Sequence, residues 1–154
     1  MFKIEYLSKT AIVYDENHKG AKYYVNGAYK NEGELIECGR SECAGYGFRK
    51  DGNTAFNKGS DVGDISVKSG RARLTTIRIA NERIAFINKY LENEPSKSFS
   101  YGIYHGNGKF TFYEMSRTEF REFAITFTKW TPSESTPRFP VTSKEVVKWL
   151  EERV

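Results

Sequence analysis

The sequence has few of the residues that staple a chain, break it or carry it through a membrane. Cys38 and Cys43 are the only two cysteines in 154 residues, and both fall on what reads as one helix, so a disulfide framework is not expected. Zinc is equally hard to provide for, because His18 and His105 are the only histidines and lie far apart in sequence. Three of the four prolines sit within residues 131–140, which reads as a Pro/Ser-rich connection and leaves the rest of the chain free for regular structure. No apolar run approaches the roughly 20 residues that cross a bilayer. The start, Met1-Phe-Lys-Ile-Glu-Tyr6, alternates and carries charge. It reads as a strand rather than a signal peptide, so the expected location is cytoplasmic with no membrane partner.

Aromatics are plentiful, with ten Tyr and eleven Phe. They supply apolar area for one core, and the length suits a single domain over 1–154. Within it, residues 1–30 read as an N-terminal β-hairpin region, 31–105 as a core unit and 106–154 as a strand-helix extension. Lys plus Arg number 24 against 20 Asp plus Glu, a net +4 that favours a polyanionic partner.

Along the chain, residues 2–7 and 10–14 read as strands, and Asn26-Gly27 marks a hairpin turn. Residues 31–43 read as a helix capped by Asn31. Strands are expected at 45–50, 60–68 and 71–79, around a polar loop at 51–59. A helix from Ala80 carries Ile84, Ile87 and Leu91 on one face and ends before Pro95. Residues 99–105 and 109–115 form a hairpin around Gly106-Asn107-Gly108. Ser116 to Glu119 is a capping box opening a helix with Phe120, Phe123, Phe127 and Trp130 on one face, and Thr142 to Glu145 is a second box. The fold class is α/β (α+β): a mixed central sheet flanked by helices.

The densest polar cluster runs from Gly59 to Arg73. On a strand Asp64, Ser66 and Lys68 share one face, with Ile65 and Val67 toward the core. Asp61 precedes them across Gly63, which permits a bend or bulge. Two carboxylates and a lysine converging at a strand end suit hydrolysis of a phosphodiester with a hard cation. Arg49, Lys50, Lys58, Arg71 and Arg73 flank the cluster and can meet phosphates. Glu34 and Glu37 lie one turn apart on the preceding helix. A half-exposed strand with a surface ion pair would look the same.

The order of helix with Glu, strand, Asp, x-x-Lys strand, helix and strand resembles the PD-(D/E)XK, restriction-endonuclease-like nucleases. The stretches Gly33–Glu37, 51–61, 66–69, 113–120 and 147–151 are also similar to small proteins of phages and mobile elements. The resemblance implies an αβββαβ core and a Mg²⁺- or Mn²⁺-dependent endonuclease acting on DNA. It makes Asp61 the motif acid, Lys68 the motif lysine, the carbonyl of Val67 a further metal ligand, and Glu34, or else Glu37, the helix acid. Ser66 stands where the family carries its second acid, and Asp64 is the candidate replacement. The expected partners are DNA and a second copy of the chain as a homodimer. The alternative is a non-catalytic nuclease-like module that binds DNA or a protein, such as an inhibitor of a host defence nuclease. A Ser-His-Asp hydrolase is not expected, because no histidine is near Ser60, Ser66 or Ser69 in sequence. His18 and His105 read as exposed turn residues, and Tyr23, Tyr24, Tyr29 and Tyr46 as sheet-packing residues.

Overall fold

The computed structural model describes residues 1–11, 32–48, 60–70, 80–128 and 135–154. Its strands are β1 (Phe2–Leu7), β2 (Ile65–Ser69), β3 (Ser98–Gly106) and β4 (Lys109–Ser116). Its longer helices are α1 (Glu32–Cys43), α2 (Ala80–Asn93), α3 (Arg117–Phe127) and α4 (Lys144–Glu151). The strands form one mixed sheet in the order β1-β4-β3-β2. β1 and β3 each pair antiparallel with β4, and β2 runs parallel to β3. A parallel pair needs a crossover, and α2 lies in that connection. Strands from residues 1–30, 31–105 and 106–154 all belong to this sheet.

Alternation along β3 and β4 gives the sheet two apolar faces. Phe99, Tyr101, Tyr113 and Met115 face α2, α3 and α4, where Ile87, Phe120, Phe123 and Leu150 complete a buried cluster. Phe110, Phe112 and Val67 face α1 and pack on Leu35 and Ile36. α1 sits close to the sheet because Gly39 and Gly102 carry no side chain. A Cβ at Gly102 would stand 2.3 Å from Ile36 Cγ2, and one at Gly39 would stand 2.8 Å from the Phe110 ring.

The β3–β4 hairpin forms where expected, with Gly106, Asn107 and Gly108 all at positive φ. Ser116 caps α3 in a full capping box with Glu119. Four expectations need correction. Residues 9–11 form a helical turn rather than the start of a strand, because the Ser8 Oγ accepts the Ala11 amide and draws the chain into a turn. Residues 44–48 are turns rather than a strand: Gly45 and Gly47 take φ of 92° and 87°, and the Tyr46 amide returns to the Ser41 carbonyl. β2 begins at Ile65, not at 60. α4 is capped by Ser143, whose side chain accepts from the Val146 amide, while the Thr142 hydroxyl bonds the Tyr101 hydroxyl at 2.8 Å. The expected strand at 71–79, the hairpin at Asn26-Gly27, and His18, Tyr23, Tyr24, Tyr29, Asn31 and Trp130 lie outside the described residues; among those described, β2 is the strand between α1 and α2. No helix among the described residues is long and apolar enough to cross a membrane.

Candidate functional site

β2 is entered through a tight hairpin. Val62 and Ile65 exchange backbone bonds at 3.0 and 2.9 Å, leaving Gly63-Asp64 as a two-residue turn. Gly63 takes φ 58° at the first central position, as a type II′ turn requires. The seven-residue spacing from Asp61 to Lys68 therefore holds two short arms and a turn, and folds Asp61 back beside β2.

Asp61 is fixed there by β2 itself. Its Oδ2 accepts the Val67 amide at 2.7 Å and the Ser66 hydroxyl at 3.4 Å. The Val67 amide faces Asp61, so the Val67 carbonyl is directed to the same edge of the strand. Burial raises the Asp61 carboxyl above the ordinary carboxylate range, and Glu94 pushes the same way; the Val67 amide, Lys68 and Ser66 oppose the shift. Lys68 stands with its Nζ 5.1 Å from the centre of the Tyr90 ring. The Tyr90 hydroxyl donates to Glu94 Oε2 at 2.8 Å, and burial followed by Glu94 raises its pKa. Glu94 Oε1 accepts from the amide and hydroxyl of Ser96, at 3.2 and 2.7 Å, and Ser60 bonds Ser96 at 2.8 Å. The Arg117 guanidinium clamps this corner by donating to the carbonyls of Leu91, Glu94 and Ser96.

Asp61, Val67 and Lys68 open onto a cleft of about 430 Å³, whose far wall is Glu34 and Glu37 of α1 and whose end is closed by residues 136–139, including Arg138. The geometry thus brings Asp61, Val67, Lys68, Glu34 and Glu37 to one place. It leaves Asp64 out. Asp64 occupies the turn, ahead of the strand, so it does not share the face of Ser66 and Lys68; its carboxylate lies 3.6 Å from Lys97 Nζ and it does not line the cleft. Ser66 is buried against Asp61 beneath the cleft floor. Arg49, Lys50, Lys58, Arg71 and Arg73 lie outside the described residues. Cys38 and Cys43 are free thiols, and exposed His105 bonds the Thr111 hydroxyl at 2.7 Å. Tyr46 is exposed and lies near Gly63.

Among the described residues, no three His, Cys, Asp or Glu side chains are close enough together to hold a metal ion as a protein-only cage. The donors facing the cleft are instead the sparse, all-oxygen kind: one half-buried carboxylate, a strand carbonyl and two glutamates across a gap. That suits Mg²⁺, which keeps several waters and binds through one or two carboxylates plus substrate phosphate. The sequence did not point to Arg138, which lines the cleft, or to Tyr90 and Glu94, which neighbour Lys68 and Asp61 behind it. The signal for the latter two was a Tyr and a Glu one helical turn apart at the end of α2. No family model matches the chain, and no curated protein or solved structure shows detectable similarity to it.

Proposed function

We propose that the chain hydrolyses DNA phosphodiesters in a metal-dependent, restriction-endonuclease-like site at the edge of β2. The observation that carries the reading is the cleft itself: Glu34, Asp61, Val67 and Lys68, named from sequence as motif positions, line one concavity. A bound Mg²⁺ would polarise the scissile phosphate and lower the pKa of a coordinated water. Asp61 and the Val67 carbonyl are the groups that would hold it, with Glu34 or Glu37 acting through water from α1. Lys68 places a positive charge where negative charge develops on the phosphate, and Tyr90 limits where that charge can go. Arg138 is a phosphate contact at the end of the cleft.

Ser66 favours one competing reading, a nuclease-like module that binds DNA or a protein without cutting. It stands at the second-acid position, and its hydroxyl occupies the oxygen of Asp61 that also holds the Val67 amide.

Calorimetry with Mg²⁺ and Mn²⁺ and cleavage of plasmid DNA separate the two. Asp61→Ala is expected to abolish both metal binding and cleavage. Lys68→Ala is expected to keep metal binding and to lower the rate by about 10²-fold or more. Ser66→Glu places a carboxylate beside Asp61 and Glu94, so it should lower stability without metal and raise both metal affinity and rate with it. A wild type and a Ser66→Glu variant that both fail to bind either metal would end the nuclease reading and leave the binding module.

A further inference from the structure

A second concavity, larger than the cleft and away from Asp61, lies on the other side of the sheet. It is a groove of about 990 Å³ between α4 and the strand ends of β1, β3 and β4. Its floor is aliphatic. Ile103 and Val147 line it half-buried, and Leu7 contributes a side chain that is 52% exposed. A large apolar side chain that open to water beside a concave surface marks a contact site more often than an isolated surface residue does.

Four lysines and two glutamates line the same groove. The acids are already engaged: Glu151 accepts from Lys3 at 2.9 Å and from the Tyr113 hydroxyl at 2.7 Å, and Glu5 lies 3.2 Å from Lys3. Lys109 on one wall, with Lys144 and Lys148 one turn apart on α4, are exposed and have no carboxylate within ion-pair distance among the described residues. Surplus positive charge thus rims an aliphatic floor on two sides.

We infer that this groove docks an acidic protein segment carrying an aliphatic anchor, with the anchor on Leu7, Ile103 and Val147 and its acidic flanks against Lys109, Lys144 and Lys148. Charge complementarity names the sign of the partner, and the floor names its class. A nucleic-acid strand would want exposed aromatic faces for its bases. Phe110 and Tyr113 are buried, Tyr6 turns its hydroxyl to Glu42 on the α1 side, and the one exposed ring among the groove's described lining residues is the imidazole of His105, tied to the Thr111 hydroxyl at 2.7 Å, too little for a run of bases. Complementary charge would speed and orient the encounter, while the buried aliphatic anchor would hold the complex. The inference is independent of the hydrolysis proposed above and uses none of its residues.

Fluorescence anisotropy tests it with three probes: a labelled peptide alternating Glu and Leu, the same peptide with Ser for Leu, and a single-stranded oligothymidine. The Glu–Leu peptide should bind, and its affinity should fall as salt rises. The Ser peptide should bind at least about tenfold more weakly. Lys144→Glu with Lys148→Glu should cost the Glu–Leu peptide about tenfold or more, and Lys109→Glu, from the opposite wall, should act in the same direction. All three lysines are exposed, so the variants should keep the wild-type circular dichroism and melting midpoint. Leu7→Asp should weaken the peptide as well. Equal binding of the Ser and Leu peptides would overturn the inference, as would binding untouched by both lysine variants. Tighter binding of oligothymidine than of the peptide would also overturn it and make the groove a nucleic-acid surface.

Discussion

Asp61 is stabilised and penalised by the same surroundings. The Val67 amide, Ser66 and Lys68 favour its charged form, yet burial outweighs them and raises its pKa. A carboxyl raised on folding leaves stability intact below its unfolded pKa and takes some away as pH climbs through the folded value. Asn cannot ionise and keeps an oxygen for the Val67 amide. Asp61→Asn should therefore melt above the wild type at pH 7, with the difference shrinking toward pH 4. Mg²⁺ should narrow the gap from the other side, by stabilising wild type and leaving the Asn variant unmoved, because a ligand stabilises only the form it binds. Melting curves with and without Mg²⁺ at several pH values read both effects. An Asn variant less stable than wild type at pH 7 would show that the hydrogen bonds, not burial, govern this residue. The residue's place was legible in sequence through Asp61, Gly63 and Lys68. Its anchoring was not, because the Ser66 and Val67 bonds exist only once the turn at Gly63-Asp64 has folded Asp61 back onto β2.

At the scale of elements, local chemistry wrote some boundaries plainly and others not at all. Ser116 and Glu119 lie three apart before an apolar run, a pattern that dictates its own cap, and α3 starts there. Residues 45–50 alternate like a strand, but Gly45 and Gly47 take left-handed backbone and no strand forms through them. Thr142 and Ser143 are equally good caps by composition; the choice falls to Ser143 because Tyr101 claims the Thr142 hydroxyl across the fold. The seating of α1 was likewise illegible, since it depends on what is missing at Gly102. A methyl there would meet Ile36 at 2.3 Å and the Phe112 ring at 2.9 Å. Gly102→Ala should cost about 1–3 kcal/mol, as overpacking in a filled interior does. It should also lift α1, which carries Glu34 and Glu37, away from Asp61. Chemical denaturation measures the first effect and Mg²⁺ affinity the second; affinity unchanged in a destabilised variant would place the metal on the β2 side alone.

For the whole molecule, the two faces of the sheet are held unequally. Three helices and Phe139 cover one face with a continuous aromatic cluster, whereas among the described residues α1 is the one longer helix on the other, joined there by Ala11, Phe48 and Val62. What fastens α1 there includes a buried ion pair. Arg40 reaches Glu114 of β4 through Nη2 at 2.6 Å and Nε at 3.2 Å, both to Oε1, while Oε2 is buried without a hydrogen-bond partner. Both bonds thus load one oxygen and the other carries its desolvation uncompensated, so the pair holds α1 in register at little net gain in stability. Removing one partner is a different matter, because it strands a charge. Arg40→Met should cost about 3–5 kcal/mol, and the double change Arg40→Met with Glu114→Leu should recover most of that loss or exceed the wild type. At this chain length each kcal/mol moves the melting midpoint by about 2–4 °C, so the single variant should fall by about 10 °C and the double should return. Equal destabilisation by the single and the double change would mean that the side-chain stems, packed beneath α1, hold the helix and that their charges do not.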